Sequence, residues 1–111
     1  MWIWLVPLLF IAAFLSFKLL TQVSPDEARR LVKEGARLVD VRSRAEYASG
    51  HLPGSINVPV DELASKLEAL GPKEQPKVLY CASGTRSAMA RSMLKGHGFT
   101  QVFNLGAMSR W

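Results

Sequence analysis

The sequence predicts an α/β domain with a mainly parallel sheet covered by helices on both faces, preceded by one transmembrane helix. Its length of 111 residues leaves room for one compact domain. After residue 20, short strand-like runs alternate with stretches of helical period, which is typical of parallel sheets. Charged residues are unevenly distributed, since all of them lie at or after Lys18. The net charge of +5 therefore belongs to the later part of the chain. We therefore divide the chain into residues 1–20 and residues 21–111.

Residues 1–20 are apolar on every face of a helix except at Lys18. Twenty helical residues span roughly 30 Å, the thickness of a bilayer core. Trp2 and Trp4 stand where an interfacial aromatic belt would lie. A buried core helix fits poorly, because so small a domain has no cavity for a helix that is apolar all round.

A cleaved signal peptide is the stronger alternative for this segment. However, no basic residue precedes the apolar run, as a signal peptide would require. The run is followed by Phe17-Lys18-Leu19-Leu20, where a signal peptide would have a small-x-small cleavage site. We therefore expect an uncleaved anchor in an inner or plasma membrane. The basic residues on its C-terminal side favour a cytoplasmic domain.

Helix signals recur along residues 21–111. Ser24 and Ser43 each begin a capping box, and Leu63, Leu67 and Leu70 are spaced for one helix face. The predicted helices run from Pro25 to Gly35, from Ser43 towards Gly50, from Asp61 to Gly71 and from Arg86 to Lys95.

Four short runs between these helices have the composition of strands. They are bounded by Gly, Pro or polar residues, and their spacing leaves a helix or turn between each pair. The predicted strands are Leu38–Val41, Ser55–Val58, Lys77–Tyr80 and Val102–Leu105.

The cysteine and histidine content excludes several classes of protein. One Cys cannot form an internal disulfide framework, a CxxC redox pair or a Cys-rich zinc site, and two His do not make a structural metal centre alone. We expect no metal and no cofactor. Basic residues are mixed with acidic ones and lack an aromatic ladder, so we expect no nucleic-acid partner. His51 and His97 are not spaced as bases for the cysteine and are expected to be structural or solvent-facing.

The loop Cys81-Ala82-Ser83-Gly84-Thr85-Arg86 carries the candidate chemistry. It joins a strand to a helix, so its amides and the helix N-terminus can favour a thiolate at Cys81. Gly84 permits unusual backbone angles, and Ser83 and Thr85 offer hydroxyl donors. Arg86 can hold an anionic substrate such as a sulfonate or phosphate. A merely buried strand-end Cys is the alternative, but it does not require the Gly and Arg that follow.

This loop, extended to Ser87, resembles the active-site loop of the rhodanese family of sulfurtransferases. Other parts of the chain are also similar to this family, namely Leu38–Arg42 with Glu46-Tyr47, Gly50–Pro59, Gly98-Phe99 and Val102–Gly106 with Trp111. The final turn has Gly106-Ala107, where members often have two glycines.

The resemblance implies a single-domain rhodanese-like fold and assigns roles to the loop. Cys81 is then the nucleophile that becomes a persulfide. Arg86 and the loop residues Ala82, Ser83, Gly84 and Thr85 bind the sulfur donor. We interpret Asp40 and Arg42 as structural support that ties neighbouring loops together.

Three functions compete for this chain. The first is a membrane-anchored sulfurtransferase that moves sulfur from a small donor such as thiosulfate to a thiol or cyanide acceptor. A phosphatase of the related kind is disfavoured, because the loop encloses four residues between Cys81 and Arg86 where phosphatase relatives enclose five. The third is a persulfide relay or protein-binding module at the membrane, with an acceptor protein as partner and little turnover of its own.

Overall fold

The computed structural model describes residues 2–111, apart from the side chains of residues 16–21. Its described residues contain one parallel sheet of four strands in the order β2-β1-β3-β4. The strands are β1 (Arg37–Asp40), β2 (Ile56–Asn57), β3 (Lys77–Cys81) and β4 (Val102–Ala107). The helices are α1 (Leu5–Thr21), α2 (Pro25–Lys33), α3 (Arg44–Ala48) and α4 (Thr85–Gly96).

Both faces of the sheet are covered, as the sequence predicts. Successive side chains of a strand point to opposite faces, and β3 divides its own residues in this way. Val78 and Tyr80 pack in one core with Ala28 of α2, whereas Leu79 and Cys81 pack in the other. The second core also contains Ala90 and Leu94 of α4, together with Leu63, Leu70 and Phe99. The Cys81 side chain therefore lies on the same face of the sheet as α4.

The predicted helix caps are confirmed. The Ser24 hydroxyl accepts a hydrogen bond from Glu27 N (3.1 Å), with Pro25 at the first helical position. Ser43 and Glu46 form a reciprocal capping box, with bonds of 3.1 and 3.2 Å. These caps satisfy amides that a helix start leaves unpaired.

Two predicted elements differ from the structure. The helix expected from Asp61 to Gly71 is instead a pair of 3-10 turns, Val60–Ser65 and Leu67–Leu70. Lys66 separates them with φ −129° and ψ 32°, which breaks the helical repeat, while leucines three or four residues apart still reach the core. The strand expected at Ser55–Val58 is shorter, since β2 contains Ile56 and Asn57, although Val58 N still donates to Asp40 O at 2.9 Å.

The predicted transmembrane helix is not supported. Trp2–Trp4 form a 3-10 turn, so α1 contains 17 residues and is about 26 Å long, less than the roughly 30 Å of a hydrocarbon core. No helix among the described residues is long and apolar enough to cross a membrane. The alternative of a buried core helix also fails, because the side chains of residues 2–15 are exposed. Met1 and the side chains of residues 16–20 in this predicted segment lie outside the described part.

Candidate active site

Cys81 lies at the carboxyl end of β3, where a loop of three residues leads into α4. Gly84 caps the helix with φ +96°, a conformation that side chains disfavour, and so turns the chain sharply. This tight turn aims the amides at the start of α4 back towards the Cys81 sulfur. The side chain is fully buried, whereas Ala82 and Ser83 are exposed.

The Cys81 sulfur accepts hydrogen bonds from the turn. Gly84 N lies 2.9 Å from Sγ, and Ser87 N lies 3.4 Å from it. The Ser87 hydroxyl is also 3.4 Å from Sγ and 3.1 Å from the Gly84 carbonyl oxygen. Because that hydroxyl has one proton, it can donate to only one of these acceptors at a time. A thiolate would draw it to the sulfur.

These contacts favour the ionised form of Cys81. Burial alone raises the pKa of the thiol, but hydrogen bonds from Ser87 and from the Gly84 and Ser83 amides outweigh it. The net result is a pKa below the ordinary value of a cysteine. A thiolate at Cys81 is thus stabilised by donors from the loop and from the first turn of α4.

Arg86 is held by a carboxylate from helix α3. Its Nη1 lies 2.6 Å from Glu46 Oε1 and its Nη2 lies 3.0 Å from Oε2, which is a two-point ion pair. The Arg86 guanidinium, with the Ser43 amide, lowers the pKa of Glu46 to about 2, and the carboxylate in turn raises the pKa of Arg86. Both groups therefore stay charged at neutral pH.

Asp40 and Arg42 lie at the end of β1, buried together. Arg42 Nη2 is 2.7 Å from Asp40 Oδ2, and the same nitrogen donates to Gly50 O at 2.6 Å. Asn57 donates to the backbone oxygens of both Asp40 and Arg42. The pair thus joins the ends of β1 and β2 to the loop after α3.

The structure places the other predicted residues in or away from this site. Thr85 is the first residue of α4 and is half-buried, next to Gly84. His51 is exposed, stacks on Tyr47 at 3.7 Å between ring centroids, and lies with Nδ1 2.9 Å from Tyr47 O. His97 caps the exposed end of α4. No described hydrogen bond joins either histidine to Cys81.

Two residues of this site are not predicted from the sequence. Ser87 enters the sequence prediction only through the resemblance, yet its position six residues after Cys81, in the first turn of α4, places its hydroxyl near the sulfur. Glu46 is predicted to cap a helix, and it does so as well. Its contact with Arg86 spans 40 residues of sequence and depends on β1 and β3 being neighbours, so no local signal could reveal it.

The fold and the site define a class of protein: an α/β domain with a buried cysteine at the end of a central strand, whose sulfur accepts hydrogen bonds from the amides of the strand-to-helix turn. The model of the rhodanese-like domain matches residues 24–111. A human thiosulfate:glutathione sulfurtransferase is 40% identical over 104 residues, covering 80% of this chain and 90% of the relative. The thiosulfate sulfurtransferase GlpE of Pseudomonas savastanoi pv. phaseolicola is 32% identical over 91 residues, covering 81% and 85%.

A solved structure agrees with these relatives. The human single-domain sulfurtransferase superposes with a TM-score of 0.74 at 37% identity, covering 82% of this chain and 94% of that one. The chain belongs to the rhodanese-like family. It is a sulfurtransferase, as its resemblance to that family predicts.

Proposed function

We propose that the protein transfers the outer sulfur of thiosulfate to a small thiol such as glutathione through a persulfide on Cys81. The observation that carries the proposal is the Cys81 sulfur held by the Gly84 and Ser87 amides and the Ser87 hydroxyl. We choose thiosulfate as donor because the human and Pseudomonas relatives are both named for it, and glutathione as acceptor because the human relative is named for it.

The first half-reaction forms the persulfide. The Cys81 thiolate attacks the outer sulfur of thiosulfate, and a new S–S bond forms while the S–S bond of the donor breaks. Sulfite leaves with the electron pair of that bond, and Cys81 carries a persulfide anion. Loop amides that stabilise a thiolate also suit this anion, since both need donors and no base.

Arg86 is suited to binding the donor while Glu46 fixes its orientation. A guanidinium has five N–H donors, and the carboxylate engages one on each of two nitrogens. The remaining donors can bind the sulfonate oxygens of thiosulfate. Ala82, Ser83, Gly84 and Thr85 complete the proposed donor site through the loop backbone.

The second half-reaction returns the enzyme to its starting form. A glutathione thiolate attacks the outer sulfur of the persulfide, and the Cys81 sulfur leaves as a thiolate with the bonding electrons. Glutathione persulfide is released. Charge and electrons balance without another oxidant or reductant.

The test compares the wild-type protein with Cys81→Ser. After incubation with thiosulfate, intact-protein mass spectrometry should show one added sulfur atom in the wild type, located on the peptide that contains Cys81. Sulfite and glutathione persulfide should accumulate when glutathione is present. Product formation by Cys81→Ser at the wild-type rate would overturn the proposal, and circular dichroism confirms that this variant is folded.

The location at an inner or plasma membrane, with the domain in the cytoplasm, stays a prediction, as does a protein acceptor. Fractionation of cells that express the full chain tests the location. Recovery of the chain in the soluble fraction would overturn it.

A further inference from the structure

Gln22 is the residue that joins α1 to the sheet. It caps the end of α1 and forms a single parallel bridge with Asn104 of β4. The next residue, Val23, donates a hydrogen bond to Asn104 O at 2.8 Å. The backbone at Gln22 is therefore fixed along the outer edge of β4, towards the end at which the active-site loop lies.

A bulge brings the end of β4 close to the active-site loop. The register passes from Leu79 opposite Asn104 to Tyr80 opposite Gly106, so one residue of β4 is left over. Asn104 Oδ1 accepts from Gly106 N at 2.9 Å and holds the bulge. Gly106 then stands so near Gly84 that a Cβ on Gly84 would lie 3.3 Å from the Gly106 Cα.

The Gln22 carboxamide fills the space beside both glycines. A Cβ on Gly106 would lie 2.7 Å from Gln22 Nε2, and a Cβ on Gly84 would lie 2.8 Å from the same nitrogen. Both distances are too short for real side chains. Glycine is therefore required at both positions while Gln22 occupies this space. The positive φ angles of Gly84 (+96°) and Gly106 (+95°) are a second reason for glycine.

Gly84 is the residue through which this packing can reach the reaction. Its amide is the shortest of the described donors to the Cys81 sulfur, at 2.9 Å against 3.4 Å for Ser87 N. Its carbonyl accepts from the Ser87 hydroxyl. A small rotation of the peptide that includes Gly84 N would lengthen the shorter bond to the sulfur.

We propose that Gln22 is a positioning residue of the active site, whose carboxamide packs against Gly106 and Gly84 and holds the Gly84 amide on the Cys81 sulfur. The inference rests on the thiolate mechanism proposed above. Gln22 has no net charge, and we assign its effect to packing; Gln22→Met, which lacks the amide dipole, tests that assignment. Two charged groups act on this arrangement: Arg86, which interacts with Cys81, and Arg110, whose Nη1 would lie 3.3 Å from a Cβ on Gly106.

The test measures the ionisation of Cys81 directly in Gln22→Ala. A cysteine thiolate absorbs in the far ultraviolet, so the rise of this absorbance with pH gives the titration midpoint of the thiol. Because the chain has one cysteine, the signal belongs to Cys81 alone at pH values below those at which tyrosines ionise. We expect the midpoint to rise by about half a unit to one unit, and kcat/KM below the midpoint to fall about 3- to 10-fold. Above the midpoint of both proteins, the difference should shrink.

Two further variants make the result specific. Gln22→Met keeps the length and bulk of the side chain, so its titration midpoint should lie close to that of the wild type. Gln101→Ala is the matched control, since Gln101 is an exposed glutamine just before the opposite end of β4 and bonds Glu74 O. It should leave the midpoint unchanged.

Loss of thermal stability in Gln22→Ala with an unchanged midpoint and pH profile would overturn the inference, because a merely structural residue gives that pattern. Failure of Gln22→Met to restore the midpoint would overturn the packing argument. An inactive wild type whose midpoint still responds to Gln22 would count against the proposed function and leave this inference standing.

Discussion

Arg86 and Glu46 form a two-point ion pair at the rim of the loop that holds Cys81, with N–O distances of 2.6 and 3.0 Å. The pair joins α4, which starts at the active-site loop, to α3. The arginine is thereby presented to the loop in one orientation. A residue that binds a donor anion benefits from such preorganisation, because less side-chain freedom is lost on binding.

Replacing Arg86 should mainly weaken donor binding. For Arg86→Ala we expect KM for thiosulfate to rise about 10- to 100-fold, since hydrogen bonds to a charged group are lost. Arg86→Lys should recover only part of this, because a point charge replaces a planar fork. Steady-state kinetics with thiosulfate varied at saturating glutathione measures both. Equal KM values in all three proteins would show that Arg86 does not contact the donor.

The Glu46 carboxylate predicts an acid-dependent loss of stability. Its pKa is lowered to about 2 in the folded protein by Arg86, while an unfolded glutamate titrates near 4.3. The stabilisation is therefore complete above about pH 4.5 and is lost as pH falls through about 2. The melting temperature of the wild type should exceed that of Glu46→Gln at pH 6, and the difference should shrink towards pH 2.

Glu68→Gln provides the control for this experiment. Glu68 lies on the second 3-10 turn, and none of the described ion pairs includes it. Its substitution removes the same charge without breaking the Arg86 pair. A Glu68→Gln difference with the same pH dependence would mean that overall charge, not this ion pair, causes the effect.

The Ser87 hydroxyl should contribute to the ionisation of Cys81. Ser87→Ala removes that donor but keeps the Ser87 amide, and the Gly84 carbonyl retains its bond from Ala88 N at 3.1 Å. We expect the Cys81 pKa to rise by about one unit towards its ordinary value. At pH values well below the midpoint of both proteins the transfer rate should fall by a similar factor of about ten, and above both midpoints the difference should vanish.

Ser83→Ala separates this effect from a general disturbance of the loop. Ser83 is exposed and lowers the pKa of Cys81 through its amide, which alanine also has. Titration of the thiolate absorbance should therefore give the wild-type midpoint for Ser83→Ala. A midpoint for Ser87→Ala that equals that of Ser83→Ala would contradict a role for the Ser87 hydroxyl.

Local patterns predict most of the architecture of residues 24–111 and the loop that holds Cys81, but not the long-range contacts around that loop. Residues close together in the sequence are enough to predict the caps at Ser24 and Ser43, the short strands and the Cys81 loop. The spacing of the leucines around Lys66 does not distinguish an α-helix from two 3-10 turns, because residues three and four apart share a face in either. Contacts made across the sheet, such as that of Gln22 with Gly84, follow from strand order and a bulge, which residue spacing does not encode.

The Asp40–Arg42 pair should affect stability rather than the chemical step. Both side chains are buried, so Arg42→Ala leaves an uncompensated carboxylate and should cost roughly 3–5 kcal/mol of unfolding free energy. The double variant Asp40→Asn with Arg42→Met should be less destabilised. Urea unfolding measures the loss, and kcat per folded molecule should change less than about twofold. A large fall in kcat of the folded double variant would instead indicate a catalytic role.

The Cys81 persulfide should persist when no acceptor is present. The chain has one cysteine, so it lacks a resolving thiol, and the Cys81 side chain is buried. Discharge must therefore come from an external nucleophile, such as cyanide, a small thiol or the cysteine of another protein. In anaerobic buffer without acceptor, mass spectrometry should still detect the added sulfur on the protein after hours. Addition of glutathione should remove it within the time of one turnover. Loss of the sulfur within seconds in the acceptor-free sample would require a discharge route inside the protein. Persistence after glutathione, with removal by cyanide, would favour a relay that delivers its sulfur to a protein acceptor.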